Sequence, residues 1–139
     1  MIEGEQKLRK TFVRVMYFLT GSGIVVGLLG VIFSSLSIKL LGGAEFFQSV
    51  GVLNILSGGL FIFYLTSPLS WLIVTLGYQK YLPWIYFVSF SFNLIANFIF
   101  IPKYSFYGAS WITVLSELLV LILLIIFARK SWRLKYAHS

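Results

Sequence analysis

Four long apolar runs, separated by short polar turns, dominate the sequence and restrict the folds open to it. The runs cover about residues 11–38, 46–76, 82–101 and 107–128. A bilayer core about 30 Å thick takes about 20 helical residues, so each run can cross it once. Only 11% of the residues are charged, against about 25% in a soluble domain. We therefore predict an all-α integral membrane protein with a four-helix transmembrane domain over residues 11–128.

The positive charges indicate how such a domain is oriented. Four crossings place residues 1–10 and the basic tail, residues 129–139, on the same side of the membrane. Nine of the eleven Lys and Arg residues then lie on that side, and cytoplasmic loops are the ones enriched in these residues. We predict a multi-pass protein of the plasma membrane with both termini cytoplasmic. Attraction to anionic lipid heads accounts for the net charge of +7 without a nucleic-acid partner. The nine residues are Lys7, Arg9, Lys10, Arg14, Lys80, Arg129, Lys130, Arg133 and Lys135.

The residue types needed for enzymatic chemistry are scarce. The sequence has no cysteine, its acidic residues are all glutamates, and its one histidine is His138, close to the end. Glu45 is predicted to lie in a turn. We find no catalytic constellation and no metal-ligand spacing, and we expect neither an enzyme nor a bound cofactor.

Glu117 is the one carboxylate placed inside an apolar run. It lies about ten residues into the fourth run, or roughly 14 Å along a helix, close to mid-membrane. Ionisable residues at that depth face a bundle interior or a wet cavity. Ser110 and Thr113 share its helix face. The face is a candidate for proton or cation coupling or for binding a polar substrate group; the alternative is a protonated, hydrogen-bonded packing residue.

A second polar stripe precedes the turn around Pro102. Asn93 and Asn97 are spaced by four and share a face of the third helix with Ser89. The stripe supplies either interhelical hydrogen bonds or part of a cavity lining. Because the turn is short, we predict that this stripe approaches the Glu117 face across a tight helical hairpin.

Two further features concern packing. Pro68 lies inside the second run, which predicts a kink near residues 64–68. The kink is either a structural accommodation or a hinge for transport.

Gly23 and Gly27 form a small-xxx-small pair, which predicts close helix packing within the membrane or, alternatively, a dimer face.

Three segments resemble one family when they are taken in order. They are the asparagine-containing residues 93–97, then Ile-Pro-Lys-Tyr at 101–104, then Gly-Ala-Ser-Trp-Ile-Thr-Val-Leu-Ser-Glu at 108–117. They resemble the C-terminal half of Wzx-like polysaccharide-biosynthesis flippases, in the multidrug/oligosaccharidyl-lipid/polysaccharide exporter superfamily. That family's pattern has glycine where this chain has Ser105. With weaker likenesses at residues 4–10, 41–46 and 77–80, the resemblance extends over nearly the whole chain.

The resemblance implies a partial lobe of a MATE-like flippase bundle. Members have about twelve to fourteen helices around a central cavity, and this chain matches the last four, as a truncated or split C-terminal portion. It implies translocation of lipid-linked oligosaccharide, with Asn93, Asn97, Thr113 and Glu117 bordering the cavity. The remaining helices are then supplied in trans or by self-association. The alternatives are a self-contained four-helix oligomeric transporter, like small multidrug transporters or lipid-linked-glucose flippases, and an inactive assembly subunit.

Overall fold

The computed structural model describes residues 2–43 and 46–136, with side chains described from residue 4. It has three long helices, α1 (Ile2–Leu41), α2 (Ser49–Thr75) and α3 (Leu82–Tyr136), and one turn of 3-10 helix (Gln79–Tyr81) before α3. No strand occurs in this part of the chain, which confirms the all-α prediction. Glu45 and His138 lie outside the described residues.

All three helices of the described chain are long and apolar enough to span a membrane. This length and composition are those of an integral membrane protein. The helix α1 begins well before the first apolar run, because residues 5–10 are mostly good helix formers. Leu8 and Phe12 in this first part of α1 pack against the core. The polar N-terminal segment therefore continues the first helix, from Ile2 onward.

The prediction of four separate helices is not confirmed, because α3 is continuous apart from a single residue. Ser105 has φ 51° and ψ −140° and is the one non-helical residue inside α3. The Ser89 hydroxyl nevertheless donates to the Ser116 carbonyl at 2.9 Å, across 27 residues. In a straight helix those residues would lie about 40 Å apart. The helix therefore doubles back at Ser105, and we call residues 82–104 its first arm and residues 106–136 its second arm.

The core lies between α2 and the two arms of α3. Ile73, Ile85 and Leu124 are each at most 1% exposed. They come from the end of α2, the start of the first arm and the later part of the second arm. In lipid, such contacts stabilise through close van der Waals packing, since acyl chains are as apolar as leucine. This packing holds the two arms against α2.

The small residues of α1 pack on α2. A Cβ atom added at Gly23 would lie 2.9 Å from the Tyr64 Cβ, and one added at Gly27 would lie 2.7 Å from the Ser57 carbonyl oxygen. Both glycines are buried. The predicted close packing is therefore made within the chain, and α2 already covers this face of α1.

The helix α2 continues through Pro68 without a break from Ser49 to Thr75. Proline lacks the N–H that would bond the Tyr64 carbonyl. Two nearby hydroxyls bond other carbonyls of this stretch: Thr66 Oγ1 lies 3.0 Å from the Phe63 carbonyl, and Ser70 Oγ donates to the Thr66 carbonyl at 3.0 Å. The hinge role of Pro68 stays a prediction.

Candidate functional site

A hydrogen bond joins α2 to the second arm of α3 at Glu117. Thr66 Oγ1 donates to the Glu117 carboxylate oxygen Oε1 at 2.7 Å, between residues 51 apart in sequence. Thr66 is buried and Glu117 is half-buried. The predicted intramembrane carboxylate therefore faces another helix of the bundle rather than standing without a partner.

Thr66 has one hydroxyl proton and two acceptors within reach. The second is the Phe63 carbonyl at 3.0 Å. The hydroxyl can donate to only one of them at a time, so the Glu117 carboxylate and a carbonyl of α2 share one donor.

A second network joins the two arms of α3. Asn97 Nδ2 donates to Asn93 Oδ1 at 2.9 Å, and Asn93 Nδ2 donates to Ser116 Oγ at 2.9 Å. Ser116 Oγ in turn donates to the Ile112 carbonyl at 2.7 Å. Together with the bond from Ser89, this network confirms that the asparagine stripe meets the second arm across the hairpin.

The stripe meets Ser116 and not Glu117. Consecutive side chains on a helix point about 100° apart. When Ser116 points towards the first arm, Glu117 therefore points away from it. Glu117 accordingly bonds to α2. The prediction was that the stripe approaches the Glu117 face, and the contact observed is with the preceding residue, Ser116. The Asn93–Ser116 and Thr66–Glu117 hydrogen bonds therefore lie on neighbouring residues of the second arm.

The other two predicted site residues bond to their own helix. Ser110 Oγ donates to the Tyr107 carbonyl at 2.8 Å, and Thr113 Oγ1 donates to the Ala109 carbonyl at 2.9 Å. Ser110 is buried and Thr113 is half-buried. Such back-bonding satisfies hydroxyls without joining helices. They share the Glu117 face, but these hydrogen bonds do not link them to it.

Asn54 on α2 is a candidate that the sequence prediction missed. Its side-chain oxygen is buried and makes no hydrogen bond within the described residues, and the same holds for Asn97 Oδ1. Asn54 lines an open groove of about 430 Å³ together with Trp111 and Val114 of the second arm. The signal in the sequence was a single strongly polar side chain inside an apolar run, which is also what singles out Glu117. Both oxygens can accept a hydrogen bond from a hydroxyl group.

A separate groove along the hairpin is almost wholly apolar. It has a volume of about 600 Å³ and is lined on both arms by residues that include Phe92, Phe100, Tyr104 and Trp111. Its lining suits hydrocarbon rather than a polar group. Polar and apolar surfaces are thus both present near the second arm.

Among the described residues, no group of three His, Cys, Asp or Glu side chains is placed to hold a metal ion. Comparison of the chain with protein-family models, with curated proteins and with solved structures finds no match.

Proposed function

We propose that this chain is part of a membrane flippase that translocates lipid-linked oligosaccharide for polysaccharide biosynthesis. The observation that carries the proposal is the Thr66–Glu117 hydrogen bond, which sets a carboxyl group between α2 and the second arm beside the Asn93–Ser116 network. Polar residues at intramembrane depth are expensive, and they mark paths of polar substrates or ions.

The proposal includes four crossings: α1, α2 and each arm of α3. The arms have 23 and 31 residues, or about 35 Å and 46 Å at 1.5 Å per residue, and each exceeds a bilayer core. In support, Arg9 and Arg129 line one groove, so the basic segments of both ends lie together. The positive-inside rule then makes that end cytoplasmic.

The polar groups suit a sugar-bearing lipid. Asn54 Oδ1 and Asn97 Oδ1 can accept bonds from sugar hydroxyls, and Glu117 has a second carboxylate oxygen besides the one that Thr66 contacts. The apolar groove along the hairpin offers a surface for a hydrocarbon chain. A head group and a lipid tail thus each have a matching surface among α2 and the two arms of α3.

Four crossings are too few to enclose such a substrate, so the proposal needs further helices, from another polypeptide or another copy of this chain. The turn at Ser105 supports the flippase resemblance, because its φ of 51° is one that glycine favours and glycine is the family's residue there. A self-contained oligomeric transporter and an inactive assembly subunit are the alternatives.

The test replaces the Glu117 carboxyl group by an amide and measures export in cells. The gene is deleted and then complemented with the wild type, with Glu117→Gln, or with Glu5→Gln as a matched control near the start of α1. The lipid-linked oligosaccharide on each membrane face and the exported polysaccharide are measured. We expect Glu117→Gln to lower export and to leave lipid-linked oligosaccharide on the cytoplasmic face, while Glu5→Gln behaves as wild type.

Membrane levels of each variant are measured alongside. Normal export with Glu117→Gln at wild-type levels would refute the role of Glu117. Normal oligosaccharide distribution in the deletion strain would remove the flippase proposal and leave the other two alternatives.

A further inference from the structure

A groove with two arginines lies where the start of α1 meets the end of the second arm. It has a volume of about 460 Å³ and lies between the start of α1, the second half of α2 and the end of the second arm. Leu69 and Leu72 of α2, each 7% exposed, form part of its apolar floor. The side chains at its edge include Arg9, Phe12, Arg129 and Trp132.

The charged side chains described in this groove are both basic. None of the described residues that line it is acidic. Two nearby lysines are engaged elsewhere: Lys130 Nζ lies 5.5 Å from the centroid of the Tyr81 ring, and Lys135 Nζ donates to the Thr75 carbonyl at 3.3 Å. Among the described residues, Arg9 and Arg129 are therefore the cations that line this groove, one from the start of α1 and one from the end of the second arm.

An arginine pair above an apolar floor matches a phosphate attached to a hydrocarbon chain. The planar guanidinium group bonds phosphate through two parallel N–H donors. Basic pockets between membrane helices recognise anionic lipid heads, and tryptophan is enriched at the same depth. A soluble phosphate would use the two arginines but would leave Leu69, Leu72 and Phe12 without an apolar partner.

We propose that this groove binds an anionic phospholipid, with its phosphate on Arg9 and Arg129 and an acyl chain along Leu69 and Leu72. The lipid joins the start of α1 to the end of α3. This proposal does not depend on transport of any substrate.

The test measures lipid binding to the purified full-length chain in detergent by native mass spectrometry. The probes are phosphatidylglycerol, phosphatidylcholine with the same acyl chains, and inorganic phosphate. At about 1 kcal/mol for each arginine, Arg9→Gln with Arg129→Gln weakens phosphatidylglycerol binding about thirtyfold. Arg133→Gln, which removes the same charge one turn further along the second arm, leaves binding close to wild type.

A second double variant keeps the test valid if the first does not fold. Arg9→Lys with Arg129→Lys retains both charges but loses the bidentate geometry, and we expect a smaller loss of affinity. Helix content by circular dichroism accompanies each measurement. Equal effects of Arg129→Gln and Arg133→Gln, phosphatidylcholine binding as tight as phosphatidylglycerol, or displacement of the lipid by inorganic phosphate would each overturn the proposal.

Discussion

The Thr66–Glu117 hydrogen bond predicts a measurable coupling between α2 and the second arm of α3. Thr66→Val removes the donor with little change of shape, and Glu117→Met removes the acceptor. If the two side chains interact, the double variant is less destabilised than the sum of the single variants. The difference isolates the interaction from the separate cost of each substitution.

The expected magnitude follows from the geometry and the environment. The 2.7 Å distance is typical of a good hydroxyl–oxygen bond. Hydrogen bonds to charged groups contribute about 1.5–3 kcal/mol in soluble proteins. Between membrane helices, measured couplings average about 0.6 and reach about 1.7 kcal/mol, because the unfolded chain also finds partners. Since Thr66 is buried but Glu117 is only half-buried, we expect a coupling of about 1 kcal/mol.

The assay is unfolding by sodium dodecyl sulfate in mixed micelles, followed by circular dichroism, with the free energy of unfolding compared across the four proteins. Thr75→Val is the matched control, because the Thr75 hydroxyl donates only along α2, to the Trp71 carbonyl at 2.8 Å. Thr75→Val should show no coupling to Glu117→Met. A Thr66 coupling below about 0.3 kcal/mol, within the additivity error, would refute the reasoning.

Two more predictions use the same unfolding assay. Gly27→Leu should lower the free energy of unfolding by about 1–3 kcal/mol, because its Cβ would press on the backbone oxygen of Ser57. Gly21→Leu should change it little, because a Cβ at position 21 has no neighbour within 4 Å. Equal effects of the two substitutions would contradict the α1–α2 contact. Ser105→Gly should raise the free energy of unfolding by about 1 kcal/mol, because glycine adopts a φ of 51° without strain. Ser105→Ala should bring no such gain, and a gain from alanine as large as that from glycine would speak against the turn geometry.

The sequence predicted the apolar helices and a turn between residues 101 and 107, because apolar run length is a local signal. The first arm nevertheless continues through Pro102 to residue 104. The predicted ends, residues 101 and 107, bracket Ser105, where the reversal occurs. The four separate helices of the prediction are not confirmed, because a single residue makes the turn and helical bonding resumes beside it. No residue pattern distinguishes such a turn from a loop of several residues.

The candidate site was predictable only in part. Spacing by four predicts that Asn93 and Asn97 share one face, and the hydrogen bond between their side chains confirms this. The partner of Glu117 depends on how α2 packs, and Thr66 lies 51 residues away in sequence. Periodicity gives the face of a helix on which a residue lies, but not the helix that covers that face.

We propose that α3 crosses the membrane twice by reversing at Ser105, and cysteine accessibility distinguishes this topology from a single crossing. The chain has no cysteine, so single cysteines can replace Gln79, Lys103 and Arg133, which are all exposed. A membrane-impermeant maleimide should label Lys103→Cys in intact cells, and should label Gln79→Cys and Arg133→Cys only after permeabilisation. Labelling that places positions 79 and 133 on opposite sides, or positions 79 and 103 on the same side, would contradict the account.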